Sequence, residues 1–253
     1  DIVNTAYRTV TAPSRRTLQR DDVAPFFYGA TGWNELVFVD GYFAPELSRR
    51  TPLPEGATAE SLAAAAAGAA LEPVLSANTN RHLGPRNAYT ALNSALLQDG
   101  ALVHVPRNVT VEHPIHLLFV TTRPENDTAT HIRNLLVLEE GASATVVSSW
   151  VSVCGATNYL NNVVEEVALG DNAELRHFKT IRESEQGHHL VTTEYHQGRD
   201  SRLRSRFVNL DGRIARNQQC VELAGDGASC DFAGLYLNDG ERLVDNTINV
   251  TQD

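Results

Sequence analysis

The stretch from Asn87 to Trp150 decides the fold: it reads NAYTALNSALLQDGALVHVPRNVTVEHPIHLLFV from Asn87 and resumes as HIRNLLVLEEGASATVVSSW at His131. Apolar side chains recur in its first part at the helical spacing Tyr89, Leu92, Leu96 and Leu97. This spacing predicts a short helix with Gly100 as its C-terminal cap. After Gly100 the pattern changes to β-rich segments separated by turn residues, such as the Pro-Arg-Asn turn at 106–108. The chain therefore passes from a helical to a strand-and-turn pattern near residue 100.

Turn residues recur along the second part of the chain at a loose period. Taking Gly141, Asn172, Asp200 and Gly227 as markers, the intervals lie between 27 and 31 residues. A period in this range is typical of solenoids, in which each coil buries its apolar side chains by stacking on the next coil. The period alone does not distinguish a β-helix from a β-sandwich.

The same stretch resembles the SufB/SufD family of iron–sulfur cluster assembly proteins. The resemblance rests on the order and spacing of ALN.A...DG, VHVP, V.VE.PI.LLFV and LLVLEEGASATVV. Segments at 35–48, 163–179, 192–208 and 228–245 are also similar to the family pattern. The KNWYPGD-type segment associated with the SufB branch is absent, so the chain resembles the SufD branch more closely.

The resemblance implies a mainly β fold, a right-handed parallel β-helix with a small N-terminal α/β cap. We predict an N-terminal α/β and helical segment at 1–99 and a β-helix core at 100–253, incomplete at its C-terminal end. The implied function is that of a non-catalytic scaffold subunit. It would pair with SufB, or with itself, and would work with the ATPase SufC through a helical region absent from this chain. Any iron–sulfur cluster would be held transiently on the assembled complex, with the family's cluster-associated histidine beyond Asp253.

Hydropathy and the N-terminal sequence bear on where the protein is located in the cell. No apolar run approaches the 18 residues of a membrane-spanning helix, and the first residues lack a secretory signal pattern. A cytoplasmic location is expected, or the stroma in a plastid-bearing organism. The chain has no methionine, not even at position 1, which indicates a fragment or processed product.

The charge balance bears on nucleic-acid binding. A formal net charge of −10 argues against generic binding to nucleic acid, which needs a basic surface. The densest basic patch comprises Arg199, Arg202, Arg204 and Arg206. Because these residues alternate as in a strand, we expect a solvated strand face balanced by nearby acids.

Two local sequence patterns predict secondary structure in the first part of the chain. Asp40-Gly41 between two apolar runs predicts a hairpin turn. Ser61-Leu62 opens an alanine-rich stretch that runs to Leu71 and predicts a helix.

The three cysteines, Cys154, Cys220 and Cys230, are too few for a disulfide framework. A self-contained iron–sulfur site needs about four protein ligands, usually thiolates, and no Cys-x-x-Cys pair occurs. We expect structural roles for all three, since free cysteine is commonly buried.

Histidines form two local groups, one of them accompanied by acids. The groups are His188, His189 and His196 with Glu185 and Glu194, and His113 with His116. On a strand His188 and His189 would point to opposite faces, so convergence on one metal ion is not expected. No metal site, catalytic residue or cofactor-binding residue is therefore assigned.

Two alternatives to the scaffold remain. A β-helix polysaccharide lyase or hydrolase would need converging acids, which Asp200 with Arg202 and Arg204, or Asp226 with Asp231, could supply. A structural solenoid that acts only as a binding module is the other. The Gly-Asp-Gly segment at 225–227 lacks the following glycine and helix of a phosphate loop and is interpreted as a turn.

Overall fold

The computed structural model describes residues 2–11, 18–29, 31–68, 87–122, 127–153, 155 and 157–252. The helices are α1 (Arg20–Val23), α2 (Leu62–Ala67) and α3 (Ala88–Leu96), with short 3-10 turns at Ile2–Asn4 and Ala24–Phe26. The strands are β1 (Arg8–Thr9), β2 (Asn34–Val39), β3 (Tyr42–Phe43), β4 (Thr58–Ser61), β5 (Ala101–Val105), β6 (Ile115–Thr121), β7 (Thr128–Leu138), β8 (Ser143–Ser152), β9 (Tyr159–Leu169), β10 (Glu174–Arg182), β11 (Gly187–Gln197), β12 (Arg202–Asp211), β13 (Ile214–Leu223), β14 (Ser229–Tyr236) and β15 (Leu243–Gln252). None of the helices in this described part has the length and apolar character needed to span a bilayer.

From β5 onward the chain alternates between two sheets. Sheet A has the order β15-β13-β11-β9-β7-β5-β4, and sheet B has the order β14-β12-β10-β8-β6-β2-β3. Neighbouring strands from β5 to β15 pair in parallel, and among the described strands the β2–β3 and β4–β5 pairs are antiparallel. The predicted parallel β-solenoid is thus confirmed, with about five turns.

The segment before residue 100 contributes strands to both sheets. β1 pairs with β7 in sheet A, and β2 pairs with β6 in sheet B. The proposed boundary at residues 99 and 100 stays a prediction.

One corner of the solenoid repeats the same backbone conformation in each coil. Asn108, Gly141, Asn172, Asp200 and Gly227 all have φ between 56° and 72°. The backbone N–H of each of the first four donates to a carbonyl of the next coil at 2.8 or 2.9 Å. Gly, Asn and Asp are the residues that tolerate this left-handed conformation. The four markers predicted from the sequence are therefore the corner positions of successive coils.

A second column of residues at this corner has no room for a side chain. Gly170, Gly198 and Gly225 each lie against the backbone of the preceding coil. A Cβ on Gly170 would lie 2.7 Å from the Glu140 nitrogen, closer than such atoms can approach. Glycine is needed here for close stacking of the coils.

Aromatic rings stack along the inside of sheet B. Phe38, Phe119 and Trp150 occupy matching positions on neighbouring strands. The ring centroids are 4.9 Å apart for Phe38 and Phe119 and 5.2 Å apart for Phe119 and Trp150. All three side chains are buried, so they form the apolar centre of the first coils.

Helix α3 forms where it was predicted, but its cap and its buried face differ from the prediction. It ends at Leu96, and Gly100 is not its cap. A Cβ on Gly100 would instead collide with the Arg133 carbonyl, so this glycine allows close packing against β7. Leu92 is 41% exposed, whereas Asn93 is buried and donates to the carbonyls of Ile132 and Asn162. Hydrogen bonds to the sheet, more than an apolar stripe, hold this helix.

The other local predictions from the first part of the chain are confirmed where the structure describes it. Asp40 and Gly41 both have positive φ and form the turn between β2 and β3. Ser61 caps α2 by accepting a hydrogen bond from the Ala64 N–H, and the helix runs to Ala67. Residues 69–71, which the prediction included, lie outside the described residues.

Gly225→Ala is expected to lower the free energy of unfolding by about 1–3 kcal/mol, because the new methyl group would overlap the Arg199 backbone. Urea unfolding followed by circular dichroism measures the change. Gly68→Ala is the control, since a Cβ there meets its nearest atom at an ordinary 3.5 Å. Equal midpoints for the two variants would contradict the stacking requirement.

Candidate functional site: a buried polar network inside the solenoid

The interior of the solenoid contains a charged pair. Lys179 on β10 and Glu165 on β9 face each other from the two sheets, with 3.0 Å between Nζ and Oε2. Both side chains are at most 1% exposed. Thr193 on β11 joins them, with its Oγ1 2.6 Å from Lys179 Nζ and 2.9 Å from Glu165 Oε2. The pair therefore links three consecutive strands of the coil path.

Hydrogen bonds extend this network along the solenoid. Asn134 on β7 donates to Glu165 Oε1 at 3.3 Å and accepts from the Ala101 N–H at 2.9 Å. His177 on β10 lies 3.2 Å from both Ser148 Oγ and the Tyr195 hydroxyl. Because Asn134, Glu165 and Thr193 are in register on β7, β9 and β11, the network forms a polar column parallel to the axis.

The surroundings set the protonation states of the pair. Burial opposes ionisation of Glu165, but the Lys179 ammonium and the hydrogen bonds outweigh it and lower the carboxyl pKa to about 2. Burial likewise acts to lower the pKa of Lys179, and the Glu165 charge reverses this so that the pKa is raised. The pair is therefore a fixed ion pair at neutral pH.

The neighbouring histidine is held neutral. Burial lowers the pKa of His177 to about 4, with opposing contributions from Glu165 and Lys179. A neutral imidazole can donate at one nitrogen and accept at the other, which matches its two hydroxyl partners, Ser148 and Tyr195.

A second buried cluster lies nearer the other corner of the coils. Glu183 accepts hydrogen bonds from the Tyr159 hydroxyl at 2.6 Å and from Asn161 at 2.9 Å. Its Oε1 also lies 3.0 Å from His189 Nδ1. Burial and the Glu183 charge raise the pKa of Tyr159, so the phenol stays protonated and donates.

These two clusters can fix the register of the coils. Their members come from both sheets, and the Lys179 and Glu165 side chains are fully shielded from solvent. A buried ion pair must find all its partners inside the protein, so a slip of one strand would leave a charge uncompensated. The arrangement is suited to locking the coils together, because bulk solvent does not reach the charged atoms.

The two described cysteines do not come together at one site. Cys220 is buried on β13 of sheet A, and Cys230 is half-buried on β14 of sheet B. Burial and the neighbouring Asp231 carboxylate raise the pKa of the Cys230 thiol, which disfavours the thiolate form. Cys154 lies outside the described residues.

The predicted histidines also lie apart. His188 points away from the interior, with Nδ1 3.1 Å from the Tyr7 hydroxyl, whereas His189 points inward to Glu183. His196 contacts Glu222 on the partly exposed outer surface of sheet A. Within the described residues no group of three His, Cys, Asp or Glu side chains could hold a metal ion.

Two further predicted positions, His113 and His116, differ in burial. His116 is fully buried beside Ser149, with 2.9 Å between Nε2 and Oγ, and burial lowers its pKa to about 4. His113 is exposed and packs against Gly32.

The acids proposed for a polysaccharide lyase or hydrolase, Asp200, Asp226 and Asp231, have other partners in the structure. Asp231 pairs with Arg206 at 2.6 Å and with Arg204 at 3.6 Å on the outer surface. Asp200 is a corner residue, and Asp226 lies in the corner turn of the next coil, where its carbonyl accepts from the Asp200 N–H. The Gly-Asp-Gly segment is thus a turn, as predicted.

Sequence reasoning missed Glu165 and Lys179, although a signal was present. Leu175, His177, Lys179 and Ile181 are spaced two apart and are all buried on one face of β10. The two polar members make this alternation look imperfect. A lysine at an inward position predicts a buried acid on the facing strand.

Comparison with known proteins identifies the family to which this solenoid is similar. Residues 119–253 match the family described as SUF system FeS cluster assembly, SufBD core domain, and residues 32–117 match the SufBD protein N-terminal region. The SufBD family protein slr0076 of Synechocystis sp. is 30% identical over 229 residues, which is 87% of this chain and 50% of that protein. SufD of Bacillus subtilis is 30% identical over 166 residues, 64% of this chain and 37% of that protein. SufD of Escherichia coli is 27% identical over 208 residues, 80% of this chain and 45% of that protein.

The solenoid and these matches define a protein of the SUF system for iron–sulfur cluster assembly. The chain belongs to the SufBD family. Its aligned part spans about half the length of these relatives or less.

Lys179→Met is expected to lower the free energy of unfolding by about 3–5 kcal/mol, because it leaves the Glu165 carboxylate buried without a counter-charge. The double variant Glu165→Leu/Lys179→Met should recover most of the loss, since apolar side chains can replace a buried pair. Urea unfolding at pH 7 measures both. A double variant less stable than Lys179→Met would contradict this account.

Acidification is expected to destabilise the fold before the Glu165 carboxylate titrates. The pKa of His177 falls from 6.5 in the unfolded chain to about 4 in the fold, so the unfolded state binds the extra proton as pH drops through this window. His177→Gln should therefore reduce the slope of stability against pH by up to about 1.4 kcal/mol per unit between these values. Urea unfolding at a series of pH values tests this, and parallel curves would refute it.

Proposed function

We propose that this chain is the solenoid part of a non-catalytic scaffold subunit of the SUF iron–sulfur cluster assembly complex. The subunit pairs with SufB, or with a second copy of itself, and works with the ATPase SufC. The cluster is cargo held transiently by the assembled complex. The subunit works in the cytoplasm, or in the plastid stroma where the organism has plastids.

The observation that supports this proposal is the open edge of the last coil, formed by β14 and β15. β14 and β15 pair with β12 and β13 on one edge, and their other edges have no strand partner within the described residues. Such open edges can be extended by strands of another chain. Apolar side chains around half exposed surround these edges: Leu235, Tyr236, Leu237, Leu243, Ile248 and Val250.

A pocket open to solvent lies between the two sheets at this coil. A cavity of about 200 Å³ is lined by apolar and amide side chains, including Phe232, Asn217, Gln219 and Ile248. A further coil placed on β14 and β15, from a partner or from the longer protein, would bury these groups. Apolar area at this position therefore supports strand-mediated pairing along the solenoid axis.

A scaffold role accords with the chemistry of the described side chains. Lys179 and Glu165 form an ion pair shielded from solvent, and the two described cysteines lie on different sheets. We propose that cluster ligands come from more than one subunit, and that SufC contacts residues outside this chain. ATP hydrolysis then belongs to SufC.

Val250→Asp is expected to abolish recovery of SufB when the tagged chain is co-expressed with SufB and SufC and purified by its tag. A buried carboxylate at the strand junction would be unpaired and would oppose docking. Leu92→Asp is the matched control, because Leu92 is 41% exposed on α3, away from the terminal coil.

Recovery of SufB by wild type and Leu92→Asp, but not by Val250→Asp, supports pairing through the last coil. Equal recovery by all three would show that the interface lies elsewhere. Absence of SufB from the wild-type sample, with a monomeric chain in light scattering, would overturn the pairing itself.

A further inference from the structure

The outer face of sheet B is covered at its start and open further on. Leu118 on β6 and Val151 on β8 pack beneath Leu18 and Val23 of the N-terminal segment. From β10 onward the strands show alternating burial, which is typical of a face open to solvent. The N-terminal segment still reaches the end of β10, where Tyr28 contacts Thr180 and the Phe26 ring lies 5.7 Å from the Arg182 guanidinium.

Five arginines project from this open part, and we call them the arginine face: Arg176 and Arg182 on β10, and Arg202, Arg204 and Arg206 on β12. The side chains of Arg176 and Arg204 are 52% and 54% exposed. These two residues are directly opposite each other on neighbouring strands. Like charges in this arrangement repel and are destabilising.

The expected balance by nearby acids is incomplete. On the outward positions of β10, β12 and β14 the acids are Glu174, which pairs with Arg176, and Asp231, which is shared by Arg204 and Arg206. No ion pair joins Arg202 to another described residue. Arg199, the fourth arginine of the sequence patch, lies at the corner and pairs with Asp171.

The face also carries apolar side chains. Phe178 on β10 is 37% exposed and lies in register with Arg206. Leu235 on β14 is 56% exposed and lies in register with Val208. Arginine beside exposed aromatic and aliphatic groups is typical of protein–protein contacts.

We propose that the arginine face docks an extended acidic segment of a partner protein. Guanidinium groups bind carboxylates through paired hydrogen bonds. Arg202, Arg204 and Arg206 follow one another at intervals of about 6.6 Å, two residues along a strand, which is also the spacing of alternate side chains in an extended segment. Alternating acids would thus face alternating arginines.

The rest of the chain favours a protein over a nucleic acid as the occupant. The net charge of −10 repels any polyanion, and this repulsion is greater for a long polyphosphate than for a short acidic segment. A short acidic segment needs only the local excess of positive charge, and its apolar residues can contact Phe178 and Leu235. The arginines of this surface lie on β10 and β12, whereas the SufB pairing proposed above uses the open edges of β14 and β15; Leu235 on β14 borders both surfaces. The arginine face therefore goes beyond the SufB pairing.

Fluorescence anisotropy with the purified chain tests the proposal. The probe is a labelled peptide in which glutamate alternates with threonine, with a leucine at each end. A second probe is a single-stranded oligodeoxynucleotide of the same charge. Arg202→Glu/Arg204→Glu is compared with Arg107→Glu/Arg216→Glu, which makes the same charge change at arginines elsewhere whose side chains are 64% and 42% exposed.

Saturable peptide binding that weakens about tenfold in Arg202→Glu/Arg204→Glu, and less than about twofold in the control, would support the arginine face; tenfold is about 1.4 kcal/mol. Binding should also weaken with added salt. Absence of saturable binding, or equal loss in both variants, would overturn the proposal. Tighter binding of the oligonucleotide than of the peptide would overturn it too, by assigning the face to phosphate.

Discussion

The solenoid depends on one repeated constraint, the left-handed backbone at the corner between sheets A and B. Each coil must turn along the same path as the coil below it if their strands are to pair in register about 4.8 Å apart. Gly141, Asn172, Asp200 and Gly227 supply that turn, and the N–H groups of the first three donate to backbone carbonyls in the corner of the next coil. Parallel pairing from β7 to β14 follows from this corner, because it fixes where each strand of sheet A ends and where the next strand of sheet B begins.

Once the register is fixed, residues at the same inward position form columns. Most columns are apolar, as in the Phe38–Phe119–Trp150 stack. The column through Asn134, Glu165 and Thr193 is polar, and it is satisfied by Lys179 from the facing sheet. A buried ion pair contributes little net stability compared with good apolar packing. We interpret its role as specificity: it favours this register over one displaced along the axis.

The two ends of the solenoid differ in how they are covered. The N-terminal segment packs on the outer face of β6 and β8, and α3 binds the outer face of sheet A through Asn93. On β12, β14 and β15 the outward side chains are exposed or partly exposed, and the outer edges of β14 and β15 have no strand partner within the described residues. The structure thus has an apolar edge and a basic face on these later coils, and both are surfaces of the kind that the proposed scaffold role requires.

The positions of turns and of one helix cap could be predicted from the sequence alone. The corner residues, the Asp40-Gly41 turn and the Ser61 cap each depend on one or two side chains and the backbone conformation they tolerate. Their positions, with the family resemblance, were enough to predict a parallel β-solenoid. The existence of α3 was also predictable from its spacing.

Only the tertiary structure decided which polar side chains are buried and what they contact. Glu165 and Lys179 belong to strands of opposite sheets, so their contact exists only after the chain has wrapped around the interior. The buried face of α3 likewise depends on carbonyls of β7 and β9 that Asn93 reaches across the packed layers. Turn geometry is set by the residues of the turn, whereas these contacts join distant residues. These contacts form only when every coil is in its correct register with the next, and no single segment of the sequence specifies that.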